Sequence, residues 1–416
     1  MTITRVPSAL FADVSGRKFD NLSAASSFSP AVAPLYVETA GYTSPGDGGS
    51  AVYRKVVSEP SHAAKFQITL SDGFTPAWYE LADQETNSKM FGGNIAAACA
   101  FQRTRGGRVR VPYGTHNVAT QILLDYATQT GDVHVDPRGV YLTGDGLHNT
   151  LLANELTGAA ISIVGDDAVA SGAGALIYAG VEDLSITGTG RGLRMSEIAF
   201  STCKNLMFRD LSVAMDLISV LSSTFDRIMI TGGTNGVQVF KGSGFSDHNA
   251  NKWTDCEFRL GTGVAFSGGP SSGLWFKNPA IQGWGVHGNA ATGGMDLNFT
   301  GSEGGVGLTI DSGYFEFNRG GFDIRLTNDG PNHVVHKISG VNFVRLGASQ
   351  FVTHNIIASG AGAQTIVLDG CQFGGRSGYV PDAGRTYVSK TENVTVFCVG
   401  CRFDSPTEQG SAVNIS

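Results

Sequence analysis

The feature that most constrains this chain is a recurring frame, apolar-x-x-apolar-x-apolar. It occurs as Val181/Leu184/Ile186, Phe208/Leu211/Val213, Phe225/Ile228/Ile230 and Trp253/Cys256/Phe258. It continues, less well, as Phe276/Pro279/Ile281 and Ile310/Gly313/Phe315, and it ends as Ile338/Val341/Phe343, Leu368/Cys371/Phe373 and Cys398/Cys401/Phe403. The openings run from 181 to 398 in eight steps of about 27 residues, and the last three steps are 28, 30 and 30.

A strand of three to five residues cannot bury a face alone. Coiling the chain sets equivalent strands side by side, about 4.8 Å apart, so that inward residues stack like on like into one continuous core. The frame therefore predicts an all-β solenoid, a right-handed parallel β-helix, with Leu184, Leu211, Ile228, Cys256, Val341, Cys371 and Cys401 pointing inward. Polar positions such as Asp210, Asp226, Asp255 and Asp311 are expected to face outward. The rival fold is a β-sandwich, whose strands recur about every 8–12 residues.

Composition agrees with short strands joined by tight turns. There are 57 glycines in 416 residues, about twice the usual share, and charged residues make up only 16%. The net charge is −7 and no basic run occurs, which argues against a nucleic-acid partner. No apolar stretch approaches membrane-spanning length, and Met1 to Phe11 lacks a signal-peptide core, so synthesis in a cytoplasm is expected. No cofactor is expected: there is no phosphate-cradling glycine loop with a following lysine, and no nucleophile elbow. Cys398 and Cys401 have the spacing of half a zinc site or a redox pair, but both fall on apolar frame positions and read better as stacked, inert thiols.

Along the chain, residues 1–34 read as an extended N-terminal arm packed on a partner or on the head, and 35–86 as a small β head. Residues 87–129 read as a capping helix, placed over 87–105, and the lead-in to the coils. Residues 130–405 are the β-helix proper and 406–416 a C-terminal tail.

Two segments carry a resemblance. In Val37 to Val56, Gly41-Tyr42 precedes the turn Gly46-Asp47-Gly48-Gly49 and the strand Ala51-Val52-Tyr53-Arg54, and Trp78-Tyr79-Glu80-Leu81 follows later. This stretch resembles the head of bacteriophage tailspike and tail-associated proteins. Met90 to Thr115, with Phe91-Gly92, Gly106-Gly107 and Pro112-Tyr113-Gly114-Thr115, is similar to the start of pectate-lyase-like β-helices. It lacks the acidic, threonine-containing stretch that usually opens the capping helix there. The resemblance implies a virion tail protein made in the host cytoplasm and assembled as a homotrimer. It implies partners in the tail or baseplate through the N-terminal region, no membrane insertion, and recognition of a bacterial surface glycan with or without its depolymerisation. A non-enzymatic structural or adhesin-like virion component, and a cellular polysaccharide lyase or hydrolase, are the alternatives.

Cleavage of a glycosidic bond generally needs two carboxylates. The candidates are Asp255 and Glu257, read as two apart on one strand and sharing a face, with Glu303, Asp311 and Glu316. Flat rings stack on sugar faces, which nominates Trp253, Trp275, Trp284 and Tyr314 as substrate-binding residues. Each has a plainer reading: an outward carboxylate is more often solvated surface, and Trp253 opens a frame and so could equally be core. No metal motif is recognisable.

Overall fold

A computed structural model describes residues 16–83, 85–103, 105–124, 139–165, 176–177, 179–241, 248–300, 305–345, 354–375 and 386–403. Most of them form a parallel β-helix of the expected right-handed type, and the frame explains its cross-section. Each coil lays one strand on sheet 1, turns a corner of one residue, lays a second strand on sheet 2, and crosses to a third strand on sheet 3.

The register fixes the inner columns. On sheet 1, Val109, Leu142, Val181, Cys203, Phe225, Trp253, Phe276, Ile310, Ile338, Leu368 and Cys398 lie one above another. On sheet 2, Phe315, Phe343, Phe373 and Phe403 stack with centroid spacings of 5.3, 4.7 and 5.0 Å. On sheet 3, Met215, Val237, Phe266, Met295, Ile324 and Ile356 form the matching column. One frame is thereby corrected. The coil after Val181 opens at Cys203, with Leu206 and Phe208, whereas Phe208/Leu211/Val213 straddles the next corner. Leu211 is still buried, because that corner too turns its residue inward.

The third position of the frame is the corner itself. Asp183, Asn205, Arg227, Asp255, Asn278, Ser312, Gly340, Gly370 and Gly400 all have positive φ there, between 45° and 65°. An L-residue adopts this conformation at a cost, and Gly, Asn and Asp bear it most cheaply. The side chains also bond along the axis: Asn205 donates to Asp183 at 2.6 Å and Asn278 to Asp255 at 3.0 Å.

The N-terminal end of the coils is covered by helix Ile95–Gln102, which buries Ile95, Ala98, Cys99 and Phe101. It is shorter than the expected 87–105. Gly92 and Gly93 take positive φ and break the run into a 3-10 turn, Ser88–Phe91, and the α-helix, and Asn94 caps the latter by accepting from Ala97 N at 2.9 Å. Before it lies a five-stranded sheet in the order 16–19, 36–39, 51–56, 76–81, 65–69. That sheet takes in Gly16–Phe19, part of the stretch read as an arm. The Asp47 turn closes it: the carboxylate accepts from the backbone N–H groups of Tyr42, Thr43, Ser44 and Gly49 at 3.1, 2.7, 3.1 and 2.8 Å. Slight burial raises the Asp47 pKa, but these four donors outweigh it and bring it to about 2.

Candidate glycan groove on sheet 2

The outer face of sheet 2 presents two columns either side of the inward phenylalanines. One column runs Glu257, Ala280, Tyr314, Asn342, Gln372 and Arg402. The other runs Arg259, Gln282, Glu316, Val344 and Gly374. Strand alternation forces this arrangement: a residue flanking an inward Phe must point out. A shallow pocket of about 410 Å³ opens along the face, lined by Tyr314, Glu316, Asn342, Val344 and Gln372.

The site is polar and hydrogen-bonded. Glu257 forms an ion pair with Arg259 on its own strand. Gln282 donates to Glu316 Oε2 at 3.0 Å. Tyr314 is half-buried; burial raises its phenol pKa, and the negative charges of Glu257 and Glu316 push it further the same way against the pull of Arg259. The phenol thus stays protonated and is available as a donor to a ligand. Glu257 and Glu316 lie two coils apart, so their backbones are separated by about 10 Å along the axis.

Of the candidates from sequence, Glu257, Tyr314 and Glu316 come together here. Asp255 does not share their face. It is the corner residue with φ of 50°, and the corner divides it from Glu257. Asp311 ends a strand on sheet 1, in register with Lys277, and Ser312 turns the chain between it and Tyr314. Glu303 lies outside the described residues.

The tryptophans divide by burial. Trp253 is in the core, stacked on Phe225 at 4.0 Å and Phe276 at 5.8 Å, and cannot meet a ligand. Trp284 is also fully buried. Gly283, at φ 69°, turns the chain so that the indole folds inward over Gly261, and its backbone N–H is held by Asn318 Oδ1 at 2.9 Å. The glycine-rich surroundings that read as a loop are what makes this packing feasible. Trp275 is 37% exposed on sheet 1, with the Lys252 ammonium 5.3 Å from its ring, on the face next to the groove.

Arg259, Gln282, Asn342 and Gln372 escaped the sequence reading, which looked for acids and aromatics. Aligning frames on the inward residue of sheet 2 places all of them outward: Glu257-Phe258-Arg259, Ala280-Ile281-Gln282, Tyr314-Phe315-Glu316, Asn342-Phe343-Val344, Gln372-Phe373-Gly374.

No group of three or more metal-ligating side chains occurs among the described residues, and no helix there is long and apolar enough to cross a membrane.

No family model and no curated protein matches the sequence. Solved structures do match in fold. Tailspike protein 2 of an Escherichia coli O157:H7 bacteriophage aligns with 95% of the chain at a TM-score of 0.59 and 15% identity. A protein of Geobacillus virus E2 aligns with 92% of the chain and 74% of its own length, at a TM-score of 0.56 and 15% identity. The tailspike of Acinetobacter baumannii bacteriophage Fri1, a capsular polysaccharide depolymerase, aligns with 97% at a TM-score of 0.50 and 10% identity. The chain spans only 52% of the length of tailspike protein 2. The architecture of this chain is the β-helix that those phage tailspikes share.

Proposed function

We propose that this chain is a phage tailspike component that binds a bacterial surface polysaccharide on the outer face of sheet 2 and hydrolyses it there. The carrying observation is Tyr314, a protonated phenol that feels the charge of two carboxylates, Glu316 on its own strand and Glu257 two coils away in its column, at the edge of a pocket rimmed by the amides of Asn342 and Gln372. Amides, carboxylates and a phenol in one outward strip match the hydroxyl-rich edge of a sugar chain. The two-coil separation of the carboxylates favours the wider spacing of an inverting hydrolase, roughly 6.5–9.5 Å, over the roughly 5 Å of a retaining one.

A second reading is binding without cleavage. It is favoured by the fact that both carboxylates already hold protein partners, Arg259 and Gln282. In either reading the chain acts in the virion tail. A homotrimer with its N-terminal region towards the tail or baseplate accords with the resemblance of that region and with exposed Val306, Val335, Phe397 and Val399 on the outer face of sheet 1.

The test is incubation of the purified protein with host capsular polysaccharide or lipopolysaccharide and assay of new reducing ends. Release that falls at least 100-fold in Glu257→Gln or Glu316→Gln, but not in Asp255→Asn, supports hydrolysis in this groove. Binding without release supports the second reading. Neither binding nor release would refute both.

A further inference from the structure

Three thiols gather on the last described coils. Cys371 and Cys401 follow the glycine corners Gly370 and Gly400 and point inward at equivalent positions of adjacent coils. Arg402 N donates to Cys371 O at 2.9 Å, so the two cysteines stack directly. Their thiols repeat the same contact one coil apart: Cys371 Sγ donates to Ile338 O at 3.2 Å and Cys401 Sγ to Leu368 O at 3.5 Å. Cys371 and Cys398 are buried, and Cys401 is half-buried, so one member of the cluster meets solvent. Cys401 thus takes the inward, stacked position expected from sequence but is only half-buried there.

We infer that Cys371 and Cys401 are an oxidation site that forms a disulfide stapling the last described coil to the one before it. Adjacent strands place equivalent Cα atoms about 4.8 Å apart, inside the roughly 4.4–6.8 Å range that a disulfide spans. Cys398 is the poorer partner, because it stands on sheet 1 across the Gly400 corner, stacked on Leu368. The neighbouring thiols of Cys371 and then Cys398 lower the Cys401 pKa, and Cys401 is the member of the cluster that meets solvent, which makes it the first nucleophile.

The oxidant is a small external disulfide such as oxidised glutathione. The Cys401 thiolate attacks one of its sulfurs, breaking that S–S bond and releasing one glutathione thiolate. The Cys371 thiol then attacks the Cys401 sulfur of the mixed disulfide, passing its proton to the second glutathione sulfur, which leaves as the thiol. Two protein thiols are oxidised and one glutathione disulfide is reduced to two thiols. The staple closes a loop one coil long and holds the coil against fraying once the protein leaves a reducing cytoplasm.

The test uses the full chain, purified with reductant and then exchanged into oxidised glutathione. Free thiols are alkylated under denaturing conditions and tryptic peptides are mapped by mass spectrometry. The expected result links the peptide carrying Cys371 to peptide 391–402, which carries both Cys398 and Cys401. The link persists in Cys398→Ser and is lost in Cys401→Ser, and oxidation raises Tm by about 5 °C, reversibly with dithiothreitol. Full alkylation of Cys371 after oxidation, or a link that vanishes in Cys398→Ser, would overturn the inference.

Discussion

At Gly261 an added Cβ would lie 2.0 Å from the Trp284 ring, and this close approach sets the role of both residues. The indole fills the interior where sheet 2 crosses to sheet 3, so its loss should act on stability. Trp284→Ala and Trp253→Ala are each expected to cost about 3–5 kcal/mol in denaturant unfolding. Glycan binding by the fraction still folded should be unchanged; weaker binding at full stability would contradict the assignment to the core. Asp47 plays the corresponding part in the head, where one carboxylate gathers four backbone donors. Asp47→Ala should lower the head's resistance to limited proteolysis between residues 41 and 50, with little effect on the coils. In the sequence, burial at 253 was one of two open readings, and burial at 284 was not legible. Aromatic residues have the same composition signature in a core ladder and on a sugar platform, and only register separates them.

Among the elements, the one-residue corner is the most informative. Its positive φ asks for Gly, Asn or Asp, and the column obeys except at Arg227 and Ser312. Arg227→Asn should therefore raise stability by about 0.5–1 kcal/mol, measured by chemical denaturation, since relief of left-handed strain outweighs an exposed ion pair with Asp226. The strands around His336 carry a pH signature. This imidazole is fully buried, with Nδ1 accepting from Leu308 N at 3.1 Å and Nε2 facing Gln364 Oε1 at 3.1 Å. Burial lowers its pKa to about 4 from 6.5, against a smaller opposing effect of Gln364. The unfolded chain thus binds the proton more readily. The stability from neutral His336 is present above about pH 6.5 and is lost as pH falls towards 4, amounting to about 3 kcal/mol. His336→Gln should flatten that part of the stability–pH curve; an unchanged slope would contradict it. The repeat itself was legible because inward apolar positions recur at every coil. The phase of the second coil was not: corners after sheet 1 and after sheet 2 both present an apolar residue two positions from the next, so Phe208 imitates a frame opening.

On the scale of the whole molecule, the β-helix and its head were readable from repeat and turn chemistry, whereas the groove was readable only in part. Glu257, Tyr314 and Glu316 do share one outward face, but Asp255 and Asp311 belong to a corner and a neighbouring face that only the strand register separates. Apolar side chains are exposed on the outer face of sheet 1, where the proposed homotrimer would close. Light scattering is expected to give a trimer mass, and Phe397→Glu, at a position 41% exposed in the single chain, should shift it towards monomer. A stable monomer at micromolar concentration would contradict that arrangement. The central claim is that sheet 2 engages the glycan. The most direct measurement is the structure of the protein bound to an oligosaccharide released from its host's polysaccharide. Sugar rings lying along Glu257, Tyr314, Glu316, Asn342 and Gln372 are the predicted result; sugar bound on sheet 1 or sheet 3, with this strip unoccupied, would contradict it.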